Sequence, residues 1–176
     1  HCTKSTGRRF RPGMLSWNYW AGDGFIMAAS PDGRSRGQFL SNAICPSNGA
    51  DTNGPTANAN SVGVVLGGKG EGESGWEAYR NLLPNGASHT ITFNPSIMRD
   101  TEHREKFKAF LRGYADNGGT ALQVNILDPD MLRDAQKHPQ DYRSLLVRIT
   151  GYNAYFTSVG RELQDEVIAR LSHGRF

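Results

Sequence analysis

Residues 145–168 read LLVRITGYNAYFTSVGRELQDEVI, a β-like run that delivers Gly151 to a turn and is followed by an amphipathic helix. Val147, Ile149 and the apolar pair Leu145 and Leu146 suit a buried strand leading into the turn. Tyr152, Tyr155 and Phe156 are placed to wall off water behind it. Leu163, Val167, Ile168 and Leu171 recur at helical spacing and supply the closing helix with one apolar stripe. Gly151, taken alone, is a strand-to-helix turn residue, free to adopt backbone angles that other residues avoid.

The text upstream alternates strands and helices. His89 to Phe93 sets His89, Ile91 and Phe93 against Thr90 and Thr92, as a strand does, which makes His89 a hydrogen-bonded wall residue rather than a metal ligand. Asp100 to Asn117 is a helix with Phe107, Phe110, Leu111 and Tyr114 on its core stripe, Asp100 or Thr101 as N-cap, and Gly118 as its stop. Thr120 to Ile126 alternates Leu122, Val124 and Ile126 against Gln123 and Asn125, a strand with one polar face, and Asp128-Pro129 then starts a short helix through Lys137. This order argues for an α/β architecture.

The first third reads differently. Trp17, Tyr19, Trp20 and Phe25 lead into an apolar run from Phe25 to Ala29 that reads as a strand, and Ser30 to Arg34 is a turn built on Pro31 and Asp32-Gly33. Asn48 to Ala59 is poor in apolar residues and reads as a loop held by its surroundings. Gly67 to Gly75, GGKGEGESG, is a flexible connector without the spacing of a phosphate-binding loop. The chain thus divides into a loop-rich segment over 1–66, the connector over 67–75 and a carboxyl-terminal unit over 76–176.

A length of 176 residues suits one domain with a core of its own. With 37% hydrophobic residues and no long apolar run, the sequence offers neither a membrane span nor a secretory leader. Net charge is +3 and the bases are interspersed with acids except at Arg8, Arg9 and Arg11, which read as a solvated edge rather than a nucleic-acid face. Two cysteines, Cys2 and Cys45, do not make a disulfide scaffold, and a reducing cytoplasm fits best.

The segments VRITGYNAYF and QDEVIAR resemble the carboxyl-terminal signature of the glycyl radical enzymes, through Arg148, Gly151, Tyr152, Phe156, Gln164, Glu166, Ile168 and Arg170. The similarity continues in SPDGR, in Asn53 to Ala57 followed by Ser61-Val62, in Asn94 to Ser96, in Gly118-Gly119 with Leu122 to Asn125, and in Asp134-Ala135 before Pro139 and Tyr142. The resemblance implies an α/β fold: the carboxyl-terminal part of a ten-stranded barrel, two parallel half-barrels wrapped by helices, with a radical loop near 147–156 threaded into its centre. It makes Gly151 the seat of a stored backbone radical, with Arg148, Tyr152, Phe156 and Gln164 as loop support and Arg148 paired to a carboxylate. It implies no bound cofactor and no metal. The radical is installed by a partner, an activating enzyme that uses S-adenosylmethionine and an iron-sulfur cluster, and the closing helix lets the loop swing out to meet it.

Such enzymes pass the radical to a cysteine in a Gly-Cys-x-x-Pro context, which neither Cys2-Thr3-Lys4-Ser5 nor Cys45-Pro46-Ser47-Asn48 provides. The chain therefore looks like the final portion of such an enzyme, with the catalytic cysteine in the remainder, a small-molecule substrate and room for small accessory subunits. Ser41 to Pro46, Leu83 to His89 and Gly119 to Gln123 are most similar to the benzylsuccinate and alkylsuccinate synthases, which add a hydrocarbon to fumarate in anaerobic metabolism. An apolar wall from Phe25, Ile26 and Met27 is one expectation for that pocket, and Arg34 or Arg36, read as surface residues after a turn, are the candidates for its carboxylate clamp. The alternatives are a glycyl radical decarboxylase, dehydratase or C-N/C-S lyase, a stand-alone subunit that replaces the radical domain of an oxygen-damaged enzyme, and a small binding module in which Gly151 is only a turn.

Overall fold

A computed structural model describes residues 15–16, 19–67, 87–170 and 172–173. At its centre β1 (Ser88–Phe93) runs parallel to β2 (Ala121–Ile126) in the register Ser88↔Ala121 through Phe93↔Ile126. β5 (Ser172–His173) lies on the other edge of β1, giving the order β2-β1-β5. Helices α1 (Tyr19–Ile26), α2 (Pro55–Gly67), α3 (Thr101–Asp116), α4 (Pro129–Lys137) and α5 (Arg161–Ala169) surround this sheet and a separate hairpin of β3 (Leu146–Arg148) and β4 (Asn153–Tyr155). No helix among the described residues is long and apolar enough to cross a membrane.

The register puts Thr90 opposite Gln123 and Thr92 opposite Asn125, and paired residues of neighbouring strands share a face. All four are buried, so the sheet carries a polar inner face. The other face is apolar: His89, Ile91 and Phe93 pack with Ile97, Phe110 and Tyr114, and Leu122 and Val124 cover the margin. The sequence identifies the two faces of β2 correctly, yet the polar one lies inward and Ile126 is exposed. A second core gathers Trp20, Leu132, Val147, Ile149, Phe156 and Val167 beneath the hairpin.

α3 starts where its capping chemistry places it, with the Asp100 carboxylate accepting the His103 N–H at 2.8 Å, and stops before Gly118, whose φ of +90° only glycine adopts freely. Leu111 is exposed rather than on the core stripe. α4 is likewise capped by Asp128, which accepts from Asp130 N–H at 2.9 Å.

Three expectations for the first third are corrected. Phe25 to Ala29 is no strand: residues through Ile26 belong to α1, because Trp20, Ala21 and Gly24 bury one helical side against the segment 38–40, with Leu40 N–H donating to Trp20 O. Tertiary packing here overrides the poor helix propensity of its two glycines. Phe25, Ile26 and Met27 are left exposed on this chain, at 48%, 81% and 47%. Asn48 to Ala59 is a loop only as far as Gly54, since Pro55 opens α2 at the position that tolerates a missing N–H. Arg34, expected at the surface, is buried and donates to Ser30 Oγ and to the carbonyls of Ala28, Ser35 and Gln38, which locks the Ser30–Arg34 turn; Arg36 is exposed. Ala59 and Val62 of α2 share a core with β1 and α3, so the segment before the connector packs directly on the unit after it. Gly67 ends α2, and the rest of the connector, Leu83 to Gly86, Cys2, Arg8, Arg9, Arg11, Trp17 and Leu171 lie outside the described residues.

His89 is fully buried, stacked on Tyr114, with Nε2 2.8 Å from Asn58 Oδ1. Burial lowers its pKa from 6.5 to about 4, against the opposing pull of Asp51. The unfolded chain then binds more protons than the folded one between those values, and stability falls as pH drops through the window. The linked loss is about 3 kcal/mol. Thermal melts from pH 7 to pH 4 are expected to show this decline, and His89→Gln is expected to flatten it.

Candidate functional site

Gly151 sits at the tip of the β3–β4 hairpin with φ +73°, in the left-handed region. Ile149 N–H donates to Tyr152 O at 2.9 Å and closes the turn, so the peptide groups of Gly151 itself take no part in the backbone ladder. Side chains serve them instead. Gly151 N–H donates to Gln123 Oε1 at 2.9 Å, and Arg148 Nη2 donates to Gly151 O at 3.2 Å.

The strand that delivers Gly151 is held from two sides. From β2, Gln123 Nε2 donates to Ile149 O and Asn125 Nδ2 to Arg148 O, each at 3.4 Å. From the end of α5, Arg170 donates to the same carbonyls, Nη1 to Arg148 O at 3.2 Å and Nη2 to Ile149 O at 3.3 Å. Arg170 is fixed by Glu166 at 2.8 Å, with side chains only 9% and 3% exposed, and its guanidinium lies 5.9 Å from the centre of the Trp20 ring. Downstream, Phe156 N–H donates to Leu145 O at 2.8 Å, and Gln164 Nε2 caps the carbonyls of Phe156 and Val159 at 3.0 Å.

The expected support residues are thus brought together, with differences. Arg148 is exposed and pairs with Asn153 Oδ1 at 3.2 Å and the Gly151 carbonyl rather than with a carboxylate. The arginine that pins the strand through a carboxylate pair is Arg170. Phe156 is fully buried, but Tyr152 and Tyr155 are 37% and 51% exposed, and Gly151 is exposed, with no atom of a described residue beyond its chain neighbours within 4 Å of where a Cβ would stand. Among the described residues the tip has no dry wrapper. An open groove of about 450 Å³, lined by Leu122, Gln123, Val124, Arg148, Gly151 and Asn153, runs beside it along the outer edge of β2.

Cys45 faces the opposite side of β1. Its Sγ accepts Thr90 N–H at 3.2 Å, and burial pushes the thiol pKa up, the wrong direction for a reactive thiolate. Gln123 and Asn125 were legible only as the polar side of a strand, and Glu166 with Arg170 only as part of a motif; buried polar residues facing a glycine hairpin are the signal that unites them.

A hairpin glycine with a free α-carbon, gripped through its own peptide groups, is the feature that comparison with known proteins explains. The glycine radical family model matches residues 40–157, which include β1, β2 and the whole hairpin. The chain belongs to the glycyl radical family. It is 37% identical over 97% of its length to an indoleacetate decarboxylase of Tractidigestivibacter scatoligenes, covering 18% of that protein. It is 34% identical over 93% of its length to a trans-4-hydroxy-L-proline dehydratase of Clostridioides difficile, covering 19% of it. The crystal structure of a glycyl radical enzyme from Archaeoglobus fulgidus superposes with a TM-score of 0.79 at 36% identity, over 96% of this chain and 20% of that one. The glycyl radical chain described here therefore spans about a fifth of the length of the relatives it matches.

Proposed function

We propose that Gly151 stores a backbone radical and that the chain works as the radical-bearing carboxyl-terminal part of a glycyl radical enzyme in which a cysteine outside this chain does the chemistry on substrate. The single observation that carries this reading is the exposed Gly151 α-carbon, at φ +73° with open space around it, inside the segment that matches the family. Loss of a hydrogen atom leaves an unpaired electron on a carbon between a donating amide nitrogen and a withdrawing carbonyl. Both share it when the centre is planar, and glycine has no β-carbon to crowd the flattened geometry.

The relay balances simply. A partner activating enzyme would supply the first step: an iron-sulfur cluster gives one electron to cleave S-adenosylmethionine, and the adenosyl fragment leaves with the hydrogen atom as the Gly151 C–H bond breaks. The glycyl radical then takes the hydrogen atom from the cysteine thiol, so an S–H bond breaks, the Gly151 C–H bond is restored, and sulfur carries the unpaired electron toward substrate. The exposed tip, without a dry wrapper of its own, suits a loop whose shelter is the rest of the barrel, in a cytoplasmic and oxygen-free setting.

The reaction class that fits best is that of the relatives, decarboxylation or dehydration. Hydrocarbon addition to fumarate rests on the phrases Ser41 to Pro46, Leu83 to His89 and Gly119 to Gln123 alone, and is the weaker reading. A stand-alone replacement subunit gains one point from the two hydrophobic cores, which give the chain packing of its own.

Anaerobic electron paramagnetic resonance of the activated protein is the test. A doublet that collapses when the chain is grown on α-deuterated glycine is expected; magnetic silence of an activated whole enzyme contradicts the proposal. Air admitted to the radical-bearing sample is expected to cut the chain at Gly151, and an intact mass after exposure would contradict it equally.

A further inference from the structure

Gly151 is bracketed by two side chains of opposite electronic character. On its amino side the N–H donates to the Gln123 amide oxygen at 2.9 Å; on its carboxyl side the C=O accepts from the Arg148 guanidinium at 3.2 Å. Resting on the reading of Gly151 as the radical seat, we propose that Gln123 and Arg148 are positioning residues that polarise the two peptide groups flanking the Gly151 α-carbon in opposite senses and so stabilise an unpaired electron there.

A radical between an amide nitrogen and a carbonyl is stabilised by electron donation from the first and withdrawal by the second. An acceptor on the N–H raises electron density on nitrogen and strengthens the push. A cation on the carbonyl oxygen draws density outward and strengthens the pull; hydrogen bonds with one charged partner are the stronger kind.

Both groups are fixed in the orientation this needs. Gln123 is buried and its Nε2 donates to Ile149 O, a carbonyl that can only accept, so the amide oxygen is the atom turned to Gly151 N–H. Arg148 is steadied by Asn153 Oδ1 at 3.2 Å across the hairpin. The turn itself closes through Ile149 and Tyr152, which leaves the Gly151 peptide groups available to these side chains. What sets this glycine apart is that both partners are side chains and the one on the carbonyl is a cation, which a turn held for shape alone does not need.

The test uses the whole activated enzyme as wild type, Gln123→Met, Arg148→Met and Arg148→Lys, with melting curves to confirm folding. Spin withdrawn from delocalisation returns to the α-carbon, so both methionine variants are expected to show a wider α-hydrogen doublet. Their anaerobic radical lifetimes are expected to be about tenfold shorter, the scale of one charge-assisted bond. Arg148→Lys, which keeps the cation, is expected to recover most of both properties. Unchanged splitting and lifetime in Arg148→Met, a substitution outside both cores of this chain, overturns the inference while Gly151 stands as the radical seat. A wild-type enzyme without a doublet overturns the Gly151 reading and this inference with it.

Discussion

Gly151→Ala is expected to remove the doublet and all turnover of the whole enzyme while leaving a folded protein. The folding cost follows from the backbone. At φ +73° an L side chain is strained by about 1–2 kcal/mol, and among the described residues no atom beyond the chain neighbours lies within 4 Å of the added methyl to raise that figure. Domain stabilities of roughly 5–15 kcal/mol absorb such a loss. The chemical cost is of another order, because the methyl crowds the flanking peptide groups as the α-carbon flattens and weakens the delocalisation that makes a stored radical possible. Gly33→Ala is the matched control: Gly33 occupies φ +96° in the Ser30–Arg34 turn, also with open space, so it shares the strain but not the chemistry. Loss of the doublet in Gly151→Ala with its retention in Gly33→Ala isolates the α-carbon. A full doublet in Gly151→Ala would place the spin on another residue.

How far the site could be read from sequence depended on whether the signal was local. α3 was legible because its capping aspartate, apolar stripe and glycine stop are written within one segment. The hairpin was half legible: Val147 and Ile149 announced a buried strand, but β4 appears only once Arg148 pairs with Asn153. Alternation in β2 separated Gln123 and Asn125 from Leu122 and Val124 without saying which side faced inward, since that is set by the hairpin packed on the polar face. The run at Phe25 misled because a short apolar stretch fits helix and strand equally, and the deciding contact, Gly24 against the backbone of Gln38 and Phe39, is made by the fold. Arg170 and Glu166, spaced as an ordinary surface pair on a helix, are buried because the carbonyls they serve belong to another element.

That burial sets the second large effect, on stability rather than on spin. Glu166→Ala strands the Arg170 guanidinium, 9% exposed, without its counter-charge, and removal of one member of a buried pair costs about 3–5 kcal/mol. A melting point lower by on the order of 10 °C follows for a chain of this size. Glu102→Ala breaks a pair of the same spacing, with Lys106 at 2.7 Å, whose side chains are 49% and 76% exposed, and the expected loss there is at most about 1 kcal/mol. The double variant Glu166→Leu, Arg170→Met separates charge from packing. It removes both ions together and is expected to regain part of the Glu166→Ala loss, though not all, because the carbonyls of Arg148 and Ile149 then lack their Arg170 donors. Since those carbonyls belong to the strand that delivers Gly151, hydrogen exchange at Ile149 and Gly151 is expected to quicken in the double variant beyond what its melting point accounts for. Equal melting of Glu166→Ala and Glu102→Ala would mean that the Glu166–Arg170 pair is solvated like the surface one.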